Sequence, residues 1–435
     1  TLLNRLPLEI VAEIFSHCPP DFPRIDSLVV PPLTLALVCK TWHHLVTNTA
    51  RLWSCFELAL EGTGSSQWED NEMKRILQLW LSRSGQSPLS FRIIYDSPGS
   101  ALDLRSAEFF KILLPHAPRW QHFQFHGPGG GLALLPDQLS QTSLQALKSI
   151  SFRLGKPWNA DFNLSRFNIP WSQLSALDLQ SDQDHVHSLG GCLTILSAAK
   201  QLTSCTLNAN CRLGISRNTE RVVLPWLKSL KLIIQGDDSA GVAETSLLSF
   251  LERLSMTDLR AFSLEWLVNR REDDTGSRWQ AVHPRFTHFI HSSATSLKSL
   301  GLAYLPLRDH EIIGCLDGLP SLTSLDLKFA LSSHEPGPIT DDFLQHLTPR
   351  SPSALHGARR NAAECLPSLE TLKLQCSEKY LNQAMLLSLV EGRADDKLRV
   401  FQIFTMKGLT KESRERIALL KGRGFDFSTL TLNVR

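Results

Sequence analysis

The sequence predicts an α/β fold, α+β overall, with a helical N-terminal unit followed by an irregular solenoid whose curved parallel sheet is backed by outer helices. Three observations carry that expectation. A six-residue word, Leu-x-x-Leu-x-Leu, returns many times between residues 147 and 403. Stretches with helical spacing lie between its copies. Residues 1–60 instead place apolar side chains three and four residues apart.

Length alone would suggest about three domains for 435 residues, but internal repeats override that prior. Formal net charge is +2, with 20% charged and 42% hydrophobic residues, the balance of an ordinary globular chain with enough apolar mass for a continuous core. This is neither a disordered nor a polyanion-binding composition, so no nucleic-acid partner is expected. The nine cysteines are odd in number and scattered, without a Cys-x-x-Cys pair. They read as reduced thiols of a cytoplasmic or nuclear protein. No apolar run approaches about 18 residues and no signal-peptide pattern opens the chain, so no membrane or secretory role is expected. The Asn163-Leu164-Ser165 acceptor triplet is a frequent chance match, and a chain beginning at Thr1 leaves room for residues upstream.

In the N-terminal unit, Pro7 sits where its fixed φ and missing N–H suit a first helical turn. Leu6, Ile10, Ile14 and His17 then share one face, and Glu9 and Glu13 another. After a Pro-rich crossing over 18–32, a second helical pattern runs through Leu35, Val38, Trp42 and Leu45. Two short helices bury little surface by themselves, so their leftover apolar face is expected to meet another protein or the rest of the chain.

Leu6-Pro7 before Glu9-Ile10 and Ile14-Phe15, then Val38-Cys39-Lys40 with Trp42, then Arg51-Leu52-Trp53, resembles the F-box, in the long-looped form common among fungal F-box-like proteins. The order and spacing of the three words carry the resemblance. Ala50 departs from it, standing where the family often has proline, and the 18–32 crossing is long. The resemblance implies docking on the Skp-type adaptor of a cullin-RING ubiquitin ligase, with the rest of the chain selecting substrates. A different reading of the same helices is an N-terminal cap closing a larger domain.

Residues 61–100 read as a linking helix and a first strand. Glu69 to Ser84 has Met73, Ile76, Leu77, Trp80 and Leu81 on one side and Gly85 as its stop, and LSFRIIYD follows Ser87-Pro88 as a strand. The phrase WLSRSGQSPLSFRI also resembles the segment following the F-box in the fungal proteins. Trp53, Trp68 and Trp80 flank this junction, which is therefore expected to be rigid.

Residues 101–435 carry the repeat: WQHFQF, LKSISF, LSALDL, LTSCTL, LKSLKL, LRAFSL, LKSLGL, LTSLDL, LETLKL and LRVFQI, each a short strand by its period-2 alternation. Helical stretches such as LLSFLERL, PRFTHFIHSS, DDFLQHL and AMLLSLVEGR lie between. Strand plus helix at roughly 20 to 30 residues per unit resembles leucine-rich repeats. A doubly wound α/β domain is the competing fold. The turn asparagine of such repeats is matched at Asn210, with Asp182 a fair substitute; elsewhere stand Gln235, Leu267, Leu305, Ala330, Ser377 and Met406, so the turns are expected to vary. Insertions are expected near 267–296 and 331–367, the second holding the basic TPRSPSALHGARR. Thr410 reads as an N-cap for KESRERIALLK, stopped at Gly422, with a final strand STLTLNV.

Catalytic chemistry is not evident. The glycine-rich 126–131 lacks the Gly-Lys-Ser/Thr ending of a phosphate loop and reads as a flexible turn. The groups His283, His288, His291 and Asp182, Asp184, His185, His187 lack zinc-hydrolase spacing, and Asp273-Asp274 and Asp341-Asp342 read as turn and cap residues. No metal or cofactor is expected, and the chain reads as a non-enzyme.

The expected function is substrate recognition within an F-box type ubiquitin ligase; a leucine-rich-repeat scaffold acting outside any ligase is the alternative, and a hydrolase on an α/β core a distant third. Adaptor contact is assigned to Leu6, Pro7, Ile10, Ile14 and Leu45, with Trp42 as core. In each word the residue between the last two apolar positions and the one after them point away from the core. That assigns target binding to Asp178, Gln180, Asn208, Lys231, Glu265, Asp326, Lys328, Lys373, Gln375 and Phe404, flanked by Thr206, Ile233, Ser263, Gly301, Ala303 and Gln402. The strip is mixed in sign, which suits a protein surface better than a phosphate backbone.

Overall fold

The computed structural model describes residues 6–27, 29–61, 70–96, 104–132, 135, 139, 141–155, 168–181, 187–211, 221–238, 242–269, 279–330, 337–349, 365–377, 379–394, 396–405, 408–422 and 425–431. They belong to two compact units, one of Thr1–Val186 with Ala198–Leu202, the other of His187–Ser197 with Thr203–Arg435.

The first unit opens with three short helices, α1 (Leu8–Ser16), α2 (Leu33–Ala36) and α3 (Lys40–Asn48), and a 3-10 turn at Ala50–Trp53. Pro7 stands immediately before α1, as its fixed φ favours. The expected second helix is split in two. The residues after α2 close it with tight i→i+3 bonds, Leu37 N–H to Thr34 C=O and Val38 N–H to Leu35 C=O, and Cys39 is extended before α3 begins. Val38 therefore leaves the stripe that its spacing to Trp42 suggested, and is exposed.

Strand β1 (Cys55–Glu61) follows, then α4 (Asp70–Arg83) and β2 (Leu89–Asp96). Met73, Leu77, Trp80 and Leu81 are the buried side of α4, and Gly85 closes it with φ +53°, a backbone conformation open to glycine at little cost. Next come α5 (Leu104–Leu113), β3 (Trp120–Pro128), β4 (Ser149–Gly155) and β5 (Ala176–Ser181). The strands pair in chain order, β1-β2-β3-β4-β5, all parallel. Aromatics fill this part of the core: Phe56 stacks on Phe91, which stacks on Phe123 and meets Trp120 edge-on.

The glycine-rich 126–131 is not the flexible turn its composition suggests. His126 to Pro128 belong to β3, and a Cβ on Gly127 would lie 2.7 Å from the Tyr95 carbonyl oxygen, so glycine is needed there for a close backbone approach.

The second unit contains β6 (His187–Ser188), α6 (Leu189–Ala198), β7 (Ser204–Asn210), β8 (Val222–Val223), β9 (Ser229–Asp237), α7 (Ala243–Leu251), β10 (Leu254–Ser255) and β11 (Ala261–Asn269). It continues through α8 (Trp279–His291), β12 (Ser299–Ala303), α9 (Asp309–Leu316), β13 (Ser324–Lys328), α10 (Asp341–Leu347), β14 (Thr371–Gln375), α11 (Gln383–Ala394), β15 (Val400–Thr405), α12 (Lys411–Gly422) and β16 (Asp426–Thr431). Its sheet runs β7-β9-β11-β12-β13-β14-β15-β16, all parallel, with β6 beside β7 and β8 paired to β10 apart from it.

The repeated word explains this register. Leu230, Phe262, Leu300, Leu325, Leu372, Phe401 and Phe427 align across the sheet, and Leu232, Leu264, Leu302, Leu327, Leu374 and Ile403 form the next row. Both rows are buried, as are the leading leucines Leu227, Leu259, Leu297, Leu322, Leu369 and Leu398. One backbone bond repeats just ahead of each strand: Arg260 donates to Lys228, Lys298 to Arg260, Thr323 to Lys298, Glu370 to Thr323 and Arg399 to Glu370, at 2.7–2.8 Å. A solenoid of stacked strand and helix units is the result.

The helical stretches expected within the two long steps are present. Trp279–His291 within 267–296 is helix α8, and Asp341–Leu347 within 331–367 is α10. Their polar and basic stretches, 270–278 and 350–364, lie outside the described residues, as do Trp68, Asp182, Asp184 and His185.

Candidate functional site

The N-terminal helices separate two apolar faces. Val11 and Phe15 of α1 are buried, and Phe15 meets Trp42 of α3 edge-on with ring centroids 4.6 Å apart. Trp53 is fully buried and its indole N–H donates to the Val46 carbonyl at 2.8 Å. These residues hold the helices together. On the other face Leu6, Ile10 and Ile14 are exposed, between 39% and 49%, and Leu8, about half a turn round α1 from Ile10, is 54% exposed. Pro7 is exposed beside them, and Leu45 is half-buried. The same helical region also leaves Val29, Leu37 and Val38 largely in solvent. Leu8, Val29 and Leu37 escaped the spacing argument because none repeats at helical intervals with Ile10 and Ile14. Glu13 pairs with Arg51 and His17, both at 3.2 Å on an open surface where such pairs contribute little.

On the helix-free face of the first unit's sheet, Glu57, Arg92, Gln124, Ser151 and Asp178 form one row in register. Arg92 bonds to Glu57 at 3.2 Å and Gln124 at 2.8 Å and lies over the Phe22 ring, while Asp178 accepts from Ser151, Arg153 and Gln180. His126 sits in the next row, its Nε2 buried without a hydrogen-bond partner among the described residues. Burial, then the neighbouring Arg153 and Arg92 charges, push its pKa down to about 4, against a smaller opposing pull from Asp178. It is neutral at pH 7.

In the second unit the assigned positions again form two rows. Lys231, Ser263, Gly301, Asp326, Lys373 and Gln402 align, and so do Asn208, Ile233, Glu265, Ala303, Lys328, Gln375 and Phe404. Most are half-exposed, as period-2 alternation requires. Asn208, Ile233 and Ala303 are not: each keeps less than a tenth of its surface. Neighbouring strands cover them, Ile233 lying beside the Lys231–Glu265 pair and the Ala303 methyl between Glu265 and Lys328 in its row. Lys231 pairs with Glu265 at 3.8 Å and Lys328 with Asp326 at 3.3 Å, whereas Lys373 makes no ion pair among the described residues. Gln375 donates to the Tyr304 hydroxyl and the Phe329 carbonyl.

The Cys55 and Cys315 thiols stand beside polar groups. A cleft of about 500 Å³ beside β1 is lined by Asp21, Arg51, Ser54, Cys55 and Ser90 among others. Burial, with Asp21 adding to it, pushes the Cys55 thiol up to about 11, and it donates to the Asp21 carbonyl at 2.7 Å. The thiol is protonated at neutral pH and is a poor nucleophile. In the second unit His283 approaches Cys315 at 3.6 Å, but its Nε2 lies 2.7 Å from the Glu311 carbonyl oxygen and so carries its hydrogen there. Burial pushes Cys315 up to about 11. This cluster ties α8 to α9. His288 is exposed, and the buried Nε2 of His291 makes no hydrogen bond among the described residues, so the three histidines do not converge.

Residues 3–58 match the F-box-like family, and the N-terminal helices are an F-box-like domain. A search of curated proteins finds no match. Among solved structures, one from Bacteroides fragilis, determined in a structural-genomics programme, is 12% identical and covers 85% of this chain and 73% of its own, with a TM-score of 0.29. None of the helices described is long and apolar enough to cross a membrane.

Proposed function

We propose that this chain is a substrate-recognition subunit of a cullin-RING ubiquitin ligase of the F-box type, its N-terminal domain docking on the Skp-type adaptor and its solenoid holding a protein target. The observation that carries the reading is the apolar face of α1. Leu6, just before the helix, and Ile10 and Ile14 on it are exposed on a domain whose buried side chains, Val11, Phe15 and Trp53 among them, pack without them. Several large aliphatic side chains on one short helix cost solubility unless a partner covers them. Catalysis then belongs to partners, in keeping with the protonated Cys55 and Cys315 thiols. No described cysteine is joined to another in a disulfide, which fits a reducing compartment, the cytoplasm or nucleus.

Co-expression with a Skp-type adaptor tests the proposal. The full chain is expected to co-purify with the adaptor, and Leu6→Ala with Pro7→Ala to lose it while remaining folded. A folded chain that never retains an adaptor leaves the alternative, a protein-interaction scaffold outside any ligase.

A further inference from the structure

Three side chains of different chemistry converge in the second unit. Asp317 follows the last residue of α9, His346 lies in the last turn of α10, and Cys365 precedes Leu366 on the way into β14. One ligand atom from each, a carboxylate oxygen, an imidazole nitrogen and the thiol sulfur, lies within 4.8 Å of the other two. His346 Nε2 is 2.8 Å from Asp317 Oδ1. From this geometry we infer that Asp317, His346 and Cys365 form a Zn²⁺ site.

The donor set selects the metal class. One sulfur, one nitrogen and one oxygen suit borderline Zn²⁺, whereas Mg²⁺ and Ca²⁺ take oxygen ligands. On a tetrahedral Zn²⁺ with bonds of about 2.0–2.3 Å, donor atoms stand about 3.3–3.6 Å apart. Binding closes the present triangle and opens the His–Asp contact slightly. Binding releases the thiol proton and shifts the imidazole hydrogen from Nε2 to Nδ1. Thiolate and carboxylate then balance the ion's charge, and the fourth position is left to water.

The surrounding backbone is held in place for this. Arg393 of α11 is buried, and its guanidinium donates to the carbonyls of Leu347 at 2.6 Å, Leu366 at 2.9 Å and Cys365 at 2.6 Å. One side chain therefore pins both the segment that presents His346 and the segment that presents Cys365. Asp317 is fixed from α9, its N–H bonding to the Ile313 carbonyl at 2.9 Å. Preorganised supports of this kind distinguish a ligand set from three polar residues that happen to meet. The residues are far apart in sequence and match no spacing motif, so only the stacked repeats bring them together.

Cobalt substitution tests the site on the intact chain. Metal-free protein titrated with Co²⁺ is expected to develop the sulfur-to-metal absorption of a thiolate ligand with one ion per chain, and Zn²⁺ to displace it and raise Tm. Cys365→Ser is expected to abolish that absorption, and His346→Gln to weaken Zn²⁺ binding more than the 10- to 100-fold that supporting residues cost. Cys376→Ser, a buried cysteine away from the triad, is the control and keeps the signal. Wild-type protein showing no such absorption, or Cys365→Ser retaining it, overturns the assignment. If Cys365→Ser does not fold, Asp317→Asn and His346→Gln decide the matter by Zn²⁺ affinity alone, unchanged affinity in both counting against the site.

Discussion

Trp80 meets Trp53 edge-on, ring centroids 5.1 Å apart, and both rings are fully buried. Trp80 belongs to α4 and Trp53 to the end of the F-box-like domain, so the contact fastens the linking helix onto the domain it follows. Arg83 adds its guanidinium over the Trp53 ring at 4.4 Å. Truncating a buried aromatic of this size costs about 3–5 kcal/mol. Trp80→Ala is expected to destabilise the first unit by that order in urea denaturation and to make α4 amides exchange faster. A stability loss under about 1 kcal/mol would mean the junction does not depend on this pair.

Arg393 is the largest polar side chain in the second unit's interior, and it satisfies three carbonyls. Arg393→Met keeps much of the volume and removes the donors. Buried acceptors left unmet cost about 1–3 kcal/mol each, so the expected loss is roughly 3 kcal/mol or more. Lysine in its place recovers only part of this, because one ammonium cannot reach three divergent carbonyls.

His126 gives the first unit a pH dependence of known sign. Its folded pKa, about 4, lies below the ordinary histidine value, so the unfolded chain takes up a proton first as pH falls. Its contribution to stability is present above pH 6.5 and is lost between there and about pH 4. Denaturation midpoints measured at pH 7.5 and pH 5 are expected to differ less in His126→Asn than in wild type. Equal differences in the two proteins would show that His126 does not carry the effect.

Target capture should depend on the open face of the second unit's sheet. Lys373 lacks an ion-pair partner among the described residues, whereas Lys231 and Lys328 are engaged with Glu265 and Asp326. Reversing Lys373 alone is therefore expected to weaken target capture most, with Lys231→Glu and Lys328→Glu adding to it and adaptor binding unchanged. Capture that survives all three reversals would move the target site off these strands.

Much of this architecture was legible because the repeat writes its core three times per unit. Leu227, Leu230 and Leu232 are read from one word and are all buried, and so are their counterparts in the other words. The exposed face of α1 was legible for the same reason, since Ile10 and Ile14 lie one turn apart. What escaped depends on neighbours. The break at Cys39 is set by tight backbone bonds that leave no side-chain signal, and the covering of Asn208 and Ile233 depends on which strands flank them. The Asp317, His346 and Cys365 cluster arises from stacking three successive units, a distance no local spacing rule crosses.

The adaptor titration tests the central claim most directly. Purified Skp-type adaptor is added to the full chain and to Leu6→Ala with Pro7→Ala, both shown to be folded, and the dissociation constant is measured for each. Losing a buried aliphatic contact costs about 1.5–3 kcal/mol, so the double variant is expected to bind tens-fold more weakly or worse. Equal affinity for the two proteins would contradict the assignment of the α1 face as the docking surface.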